Sequence, residues 1–403
     1  MKKKLPGIFL MLSLGLLLGA CSSKTDKIQE EGDQQEALME QEETEEENEE
    51  SQEQEKVSGQ QITVLLAGEK EEQETVLSDL LLEEGYQVQT EYAGMDSKTQ
   101  AQQLEKAARA QAAAVVVEPV KTSGMEASLE KAAEAGVGII CYGQLFMNTE
   151  YVDAYVVNDH YEQGVQTARQ IEALQELEHR TEENPVTLEI FLEDGDNINE
   201  QVFYLGLMGT LSSYVEDHIL VIRSGRDTFQ EVTVRDGSKE NARVLCEEIL
   251  EDFYQEDGPD VIYASGDLMT QGVCIALDKA GFAVPGETDE EQETDQTREE
   301  ADPEETDTKE TAYEWPMVIG SGFTVLTANR ISTGRQTMAF HQEEDALAEC
   351  CVQALEEYFT GEQSDDVSSE YDNGVEIVPA YTAAPVPVDF SNYEDFLEEE
   401  QGE

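Results

Sequence analysis

Short apolar runs alternate with longer amphipathic stretches along most of this chain. Val137 to Tyr142 is a continuous apolar run of the length and composition typical of a strand buried on both faces of a sheet. Tyr151 to Val157 is a second run of the same kind. Polar residues follow each run, Gly143-Gln144 after the first and Asn158-Asp159 after the second. Ligands bind outside the carboxyl ends of parallel strands, so these two ends are the first candidates for a binding site.

The alternation continues on both sides of these central runs. Strands that alternate with helices predict right-handed βαβ units around parallel sheets, and therefore an α/β fold. Before the central runs, the pattern predicts strands at 62–67, 87–92 and 113–117 and helices at 74–84, 98–110 and 125–135. After them it predicts strands at 186–192, 219–223, 261–264, 316–319 and 337–340, helices at 163–177, 201–214, 238–254, 268–280 and 345–358, and an extended tail at 375–388.

The first residues predict export. Lys2 to Lys4 precede an apolar stretch, Ile8 to Leu18, which is too short to span a bilayer, and small residues follow it directly before Cys21. This order is typical of a secretory signal, and its end resembles a bacterial lipobox. We expect residues 1–21 to be a lipoprotein signal with a lipidated Cys21, so that the mature protein is extracytoplasmic and anchored to the cell membrane. The alternative is ordinary cleavage that leaves a free cysteine.

Two acidic stretches carry much of the formal net charge of −67. Residues 22–60 are rich in Glu and Gln and cannot bury enough apolar area to offset their ordering entropy, so they predict a disordered stalk. Residues 287–314 interrupt the alternation and predict an acidic surface insertion. A charge of this sign excludes the basic footprint that a nucleic-acid partner requires.

The sequence carries no motif that indicates an enzyme. It has no phosphate-binding glycine loop, no nucleophile elbow and no CxxC pair, and its four histidines lack metal-ligand spacing. Besides Cys21, the cysteines lie in apolar or helical settings, so buried reduced thiols are expected, with a disulfide possible in an exported protein. The residues therefore give no support for an enzyme, and we expect no metal and no cofactor.

Several separated segments carry a more specific signal. Tyr142 to Gly164 is the first, and Leu188 to Phe191 with Asp196 to Asn199 is the second. Gln336 to Met338 and Asn373 to Tyr381 follow in the same order. Together they resemble the xylose-binding and multiple-sugar-binding members of the type I periplasmic binding proteins, over nearly all of the chain after the stalk.

The resemblance implies two α/β lobes, built from parallel sheets flanked by helices, that are hinged by three crossings. Carried onto this chain, the N-terminal lobe would comprise 61–158 plus 340–362. The C-terminal lobe would comprise 159–339 plus 375–395. A solute would then be enclosed between the lobes by hinge closure.

The resemblance also implies a set of ligand-binding side chains. In the relatives an Asp-Arg pair binds sugar hydroxyls through charged hydrogen bonds, and here Gly143-Gln144 stands in its place. A lower affinity for sugar is therefore expected. Asp159 and Asp267 are equally well placed to be helix N-caps, and Asn199 could also be one. The expected ligand-binding residues are Tyr142, Gln144, Asp159, Asn197, Asn199, Asp267, Phe323 and His341.

The expected function is capture of a monosaccharide or similar polyol and its delivery to an ABC importer. The alternative is a ligand sensor or interaction lipoprotein with the same fold and a degenerate sugar site. The expected partners are a small-molecule ligand, an ABC permease or a sensor receptor in the membrane, and the membrane itself through the lipid anchor.

Overall fold

The computed structural model describes residues 59–70, 76–193, 197–285, 313–361 and 369–401. The predicted signal, nearly all of the predicted stalk and most of the acidic insertion lie outside these residues. No helix in the described ranges is long and apolar enough to cross a membrane. The cysteines of the described ranges carry free thiols, and all but Cys350 are buried.

The first sheet has seven strands, which are parallel except for one edge strand. Helices α2 and α3 pack on one face of it, and α1 and α10 pack on the other. Its order is β13-β14-β5-β4-β3-β1-β2. The strands are β1 (Gln61–Leu66), β2 (Gln87–Tyr92), β3 (Ala114–Val117), β4 (Gly138–Tyr142), β5 (Ala154–Asn158), β13 (Ser369–Asp372) and β14 (Ile377–Ala383), and the helices are α1 (Val76–Glu83), α2 (Ser97–Ala110), α3 (Glu126–Glu134) and α10 (Glu344–Thr360).

The second sheet has six strands in the order β15-β12-β11-β8-β6-β7. Helices α4 and α5 cover one face, and α7 and α8 cover the other. The strands are β6 (Val186–Phe191), β7 (Leu220–Val221), β8 (Val261–Ala264), β11 (Met317–Gly320), β12 (Met338–His341) and β15 (Val386–Asp389), and a separate pair is formed by β9 (Phe282–Ala283) and β10 (Tyr313–Glu314). The helices are α4 (His160–Leu174), α5 (Ile198–Glu216), α6 (Phe229–Val232), α7 (Lys239–Phe253), α8 (Asp267–Ala280), α9 (Val325–Ser332) and α11 (Tyr393–Gln401).

Two glycines allow α4 and α5 to pack backbone against backbone. A β-carbon on Gly164 would lie 2.2 Å from the carbonyl oxygen of Phe203, and one on Gly206 would lie 2.2 Å from that of Tyr161. No side chain larger than hydrogen fits at either position. This contact fixes α5, whose first turn reaches the boundary between the lobes.

The chain passes between the two sheets three times, after β5, after β12 and after β14. The first and third crossings lie side by side, because Asn158 and Ala383 are partners in adjacent parallel strands. The backbone N–H of Asp159 then donates to the Ala383 carbonyl at 2.8 Å. The predicted two-lobed α/β architecture is confirmed.

Part of the predicted lobe assignment is wrong. The lobe bounds that the resemblance implies put the whole extended tail in the second lobe, but β14 pairs in parallel with β5 in the first sheet. Only β15 and α11 follow in the second lobe. Ala384 and Pro385 separate the two strands, and the proline has no backbone N–H with which to continue a ladder. Similarly, Phe340 and His341 belong to β12 of the second sheet, whereas α10 packs on the first.

Some element boundaries also differ from the sequence pattern. Helix α4 begins at His160, three residues before the predicted start, because the Asp159 carboxylate accepts a hydrogen bond from the Glu162 N–H at 2.9 Å. The pattern did not indicate α6, α9, α11 or β13. Strand β13 is mostly polar, with Tyr371 its one buried side chain, and it is a strand because β14 offers it a backbone edge.

Candidate ligand-binding cleft

A cleft of about 590 Å³ opens between the two lobes at the carboxyl ends of the parallel strands. A volume of this size is in the usual range for small-molecule sites. The first lobe contributes Leu66, Ser78, Glu118, Tyr142, Gly143, Gln144 and Leu347, and the second contributes Gln163, Glu193, Asn197, Asn199, Glu200, Phe203, Tyr263, Ser265, Gly266, Ser321 and Gly322. The crossings add Asn158, His160, Gln342 and Glu343.

Four of the predicted site residues line this cleft, namely Tyr142, Gln144, Asn197 and Asn199. Tyr142 and Gln144 come from the end of β4 in the first lobe. Asn197 caps α5 in the second lobe, where its side-chain oxygen accepts from the Asn199 N–H at 3.0 Å. The structure thus brings these side chains to opposite walls of one opening.

Asn199 bridges the two lobes. Its side-chain N–H donates to the Gly143 carbonyl at 3.0 Å, and its side-chain oxygen accepts from the Tyr155 hydroxyl at 2.8 Å. Tyr155 and Gly143 belong to the first lobe, whereas Asn199 is in the first turn of α5. Asn199 is buried, and these two hydrogen bonds engage both the oxygen and the nitrogen of its side-chain amide.

Asp159 and Asp267 do not line the cleft. Asp159 caps α4, and its other carboxylate oxygen lies 3.5 Å from the Thr382 hydroxyl at the neighbouring crossing. Asp267 forms an ion pair with Arg330 and accepts from the Thr327 hydroxyl at 2.7 Å. Burial alone would raise the pKa of Asp267, but the Arg330 charge and these hydrogen bonds hold it below its usual value. The carboxylate joins α8 to α9 inside the second lobe.

Phe323 and His341 are also outside the cleft lining. Phe323 is buried beside Ile331 and Val388, and its ring lies edge-on to His341 at 6.1 Å between centroids. Phe396 of α11 packs against both rings. Because the sequence did not indicate α11, this apolar cluster could not be foreseen, and the two rings were assigned to the ligand instead.

Several polar residues of the cleft are not among the predicted site residues, and they share one position in the fold. Glu118 follows β3, Glu193 follows β6, Ser265 follows β8 and Ser321 follows β11. Each stands just past the carboxyl end of a parallel strand, where ligand contacts are expected. The rule that indicates the ends of β4 and β5 as binding sites therefore also indicates the residues that follow the other parallel strands.

The charged side chains that line the cleft in the described ranges are acidic. Glu118, Glu193, Glu200, Glu343 and Glu344 line it, and no lysine or arginine of the described ranges does. Burial lowers the pKa of His160 to about 4, so this imidazole is neutral at pH 7. Carboxylates, amides and hydroxyls accept and donate hydrogen bonds, and such walls suit a small solute that carries several hydroxyl groups.

Comparison with known proteins decides the family. A family model described as "Periplasmic binding protein domain" matches residues 71–289, which is more than half of the chain. The chain belongs to the periplasmic binding protein domain family. Among curated relatives of this periplasmic binding protein, the multiple sugar-binding periplasmic receptor ChvE of Rhizobium radiobacter is 25% identical over 316 residues, which are 78% of this chain and 81% of the relative. The multiple sugar-binding periplasmic protein SbpA of Azospirillum brasilense is 26% identical over 313 residues, which are 78% and 80%.

Solved structures resemble this periplasmic binding protein over most of its length. An ABC transporter solute-binding protein from Clostridium phytofermentans, with bound β-D-glucose, superposes with a TM-score of 0.66 at 26% identity and covers 84% of this chain and 96% of its own. A carbohydrate transporter solute-binding protein from Chloroflexus aurantiacus gives a TM-score of 0.62 at 19% identity, with 84% and 94% covered, which supports the fold. These relatives are named as binding proteins and receptors rather than as enzymes.

Proposed function

We propose that this protein is an extracytoplasmic solute-binding lipoprotein. It captures a monosaccharide or similar polyol between its lobes and delivers it to an ABC importer. The observation that carries the proposal is the cleft, in which polar side chains from both lobes face one volume of about 590 Å³. Curated relatives that align with most of the chain are named as multiple sugar-binding proteins, which supports a sugar as the solute.

The contacts of the cleft would be divided between the lobes. Tyr142 and Gln144 would hold the solute from the first lobe, and Glu193, Asn197, Ser265 and Ser321 from the second. A neutral Gln144 donates and accepts single hydrogen bonds, and it cannot form the charged bidentate grip of an arginine. Binding would therefore be weaker than in relatives that keep the Asp-Arg pair.

The proposal also assigns roles to the beginning of the chain. Residues 1–21 would direct export, Cys21 would carry the lipid, and residues 22–60 would be a spacer between the membrane and the lobes. These roles rest on the signal-like start, the small residues before Cys21 and the Glu-rich composition of the spacer.

A thermal shift panel tests solute binding. The full-length chain, purified in a detergent without a sugar headgroup, is heated with each of a set of hexoses, pentoses, cyclitols and amino sugars at millimolar concentration. A solute that binds only the folded state at 100 times its Kd stabilises the protein by about 2.7 kcal/mol, which is readily seen as a higher Tm. Glucose 6-phosphate is the matched control and should have no effect, because no cationic side chain of the described ranges lines the cleft. If no polyol in the panel raises the Tm, the proposal fails.

Cell fractionation tests the anchor. The Cys21→Ala variant should leave the membrane fraction or accumulate as an unprocessed precursor, since it lacks the thiol that receives the lipid. A variant that is processed normally and still sediments with the membranes would contradict the lipoprotein assignment.

A further inference from the structure

Two carboxylates of the cleft converge on one strand end. Glu200, in the first turn of α5, accepts a hydrogen bond from the Ser265 hydroxyl through Oε1. Oε1 of Glu193 lies 3.5 Å from the position that a β-carbon on Gly266 would take. Ser265 and Gly266 are consecutive residues after β8, so both carboxylates border the same corner of the cleft.

This corner lacks an internal counterion among the described residues. Oε2 of Glu200 is buried and has no hydrogen-bond partner there. The ion pairs found in the described ranges involve neither Glu193 nor Glu200. His160, which also lines the cleft, is neutral at pH 7. A buried carboxylate without a counterion is costly, and a cation supplied by the ligand would offset that cost.

We infer that Glu193 and Glu200 together receive an ammonium group of the solute, so that the preferred ligand is an amino sugar or another amine-bearing polyol. The inference rests on the proposed function, because it assigns a substrate class to the same cleft. An ammonium group has three N–H donors and matches two carboxylates that border one corner.

A metal ion and an anionic solute fit the corner less well. No group of three or more His, Cys, Asp or Glu side chains in the described ranges could hold a metal ion. An acidic sugar would add a negative charge to a cleft already lined by glutamates, with no lysine or arginine of the described ranges facing it. A neutral sugar can accept the proton of Glu200 in a hydrogen bond, but it leaves the charge of the pair uncompensated.

Protonation supports the same assignment. Burial raises the pKa of Glu200 to about 7; the Ser265 hydrogen bond opposes this, the Glu193 charge adds to it, and a hydrogen bond from the Glu193 backbone opposes it. The titratable groups that face Glu200 are Glu193, next to it at the end of β6, and Tyr263 of β8; His160 and Glu118 line the same cleft. An arriving ammonium group favours the ionised carboxylate, so its binding at pH 7 should release a proton from the fraction of molecules in which Glu200 is protonated.

Isothermal titration calorimetry of the full-length chain at pH 7 tests the inference. Glucosamine and galactosamine are compared with glucose and galactose, which carry a hydroxyl in place of the amine, and with the N-acetylated amino sugars, which are neutral. We expect at least one free amino sugar to bind at least tenfold more tightly than both of its neutral counterparts. Titrations in two buffers of different ionisation enthalpy should show proton release with the amino sugar and none with the neutral sugars.

Variants locate the ammonium group. The double variant Glu193→Gln, Glu200→Gln should remove the preference for the amine, and the exposed Glu251→Gln, which changes charge away from the cleft, should keep it. The comparison of ligands on the unmodified protein stands whether or not the double variant folds. Neutral sugars that bind as tightly as amino sugars, or tighter, would overturn the inference and leave the proposed function intact. A preference that survives in the folded double variant would overturn the assignment to this pair, and a failure of every sugar to bind would overturn the proposed function itself.

Discussion

At the scale of residues, Asp267 and Glu200 show how the surroundings of a carboxylate decide its role. Asp267 is paired with Arg330 and hydrogen-bonded by two threonine hydroxyls, which hold its pKa below the usual value despite burial. Glu200 accepts hydrogen bonds from the Ser265 hydroxyl and the Glu193 backbone and lies beside the Glu193 carboxylate, and burial raises its pKa to about 7. The surroundings of Asp267 stabilise the second lobe, whereas those of Glu200 leave a carboxylate without a counterion in the cleft.

The Glu200→Gln variant should be more stable than the unmodified protein at pH 8. The pKa of Glu200 is raised from 4.5 to about 7 in the folded state, so between these values the folded protein binds a proton that the unfolded chain has released. Stability is therefore lost as pH rises through this window, and a neutral glutamine avoids the loss. We expect a gain of about 1–3 kcal/mol at pH 8 that shrinks toward zero at pH 5. Urea unfolding at both pH values measures it.

The exposed Glu251→Gln variant is the control and should leave stability unchanged at either pH. An equal effect of Glu200→Gln at pH 5 and pH 8 would show that ionisation of this carboxyl group does not affect the stability of the empty protein.

The Asp267→Ala variant should lower stability and leave solute affinity unchanged. Removing the carboxylate leaves Arg330 without its ion-pair partner, and the Arg330 side chain is only 9% exposed. We therefore expect a loss of about 2–4 kcal/mol in the free energy of unfolding. Asp257→Ala breaks an ion pair whose aspartate is 58% exposed and should cost less than about 1 kcal/mol. Denaturant unfolding gives the stabilities and calorimetry gives the affinity. A large loss of affinity in a folded Asp267→Ala protein would place this residue at the ligand, as the family resemblance implied.

At the scale of elements, the contact between α4 and α5 positions the wall of the cleft. The glycines at 164 and 206 bring the two helix backbones together, and the first turn of α5 then carries Asn199 and Glu200 to the lobe boundary. Displacement of α5 would move both side chains at once. The geometry of the site thus depends on two residues that lack side chains.

The Gly206→Ala variant tests this dependence against a control on the same helix. A β-carbon at 206 would lie 2.2 Å from the Tyr161 carbonyl, so the helices must separate, and we expect a loss of about 1–3 kcal/mol or more. Nothing lies within 4 Å of a β-carbon at Gly209, where alanine should stabilise the helix by up to about 1 kcal/mol. Thermal unfolding of both variants measures the difference. A Gly206→Ala protein as stable as Gly209→Ala would mean that the two helices are not in close contact.

The sequence predicts the elements better than it predicts the site. The apolar runs and amphipathic stretches indicated most strands and helices of both sheets, because parallel sheets bury their strands on both faces. Asn197 and Asn199 were also found, through their place in a family segment. The family resemblance indicates Asp267 as a ligand contact, and the position of Phe323 past a strand end indicates it as another. Their actual partners, Arg330 and Phe396, lie on two helices that the pattern does not reveal. A polar or aromatic residue at a strand end is ambiguous until its tertiary partners are known.

At the scale of the whole molecule, the two lobes meet at a cleft, and Asn199 bridges them. Asn199 ties the second lobe to the first through Gly143 and Tyr155, close to where adjacent crossings run together at Asp159 and Ala383. Crossings of this kind absorb the changes in backbone angle when lobes close on a solute. The binding energy of the solute would then come from both walls.

Calorimetric titration of a solute that raises the Tm tests this account most directly, with one variant in each wall of the cleft. We predict one site per chain, a three- to tenfold weaker affinity for Gln144→Ala and a loss of about tenfold or more for Glu193→Gln, since a hydrogen bond to a charged group contributes about 1.5–3 kcal/mol. The exposed Gln230→Ala and Glu251→Gln variants should bind like the unmodified protein. Unchanged affinity in either wall variant would show that the solute is not held between the lobes, and would contradict the account.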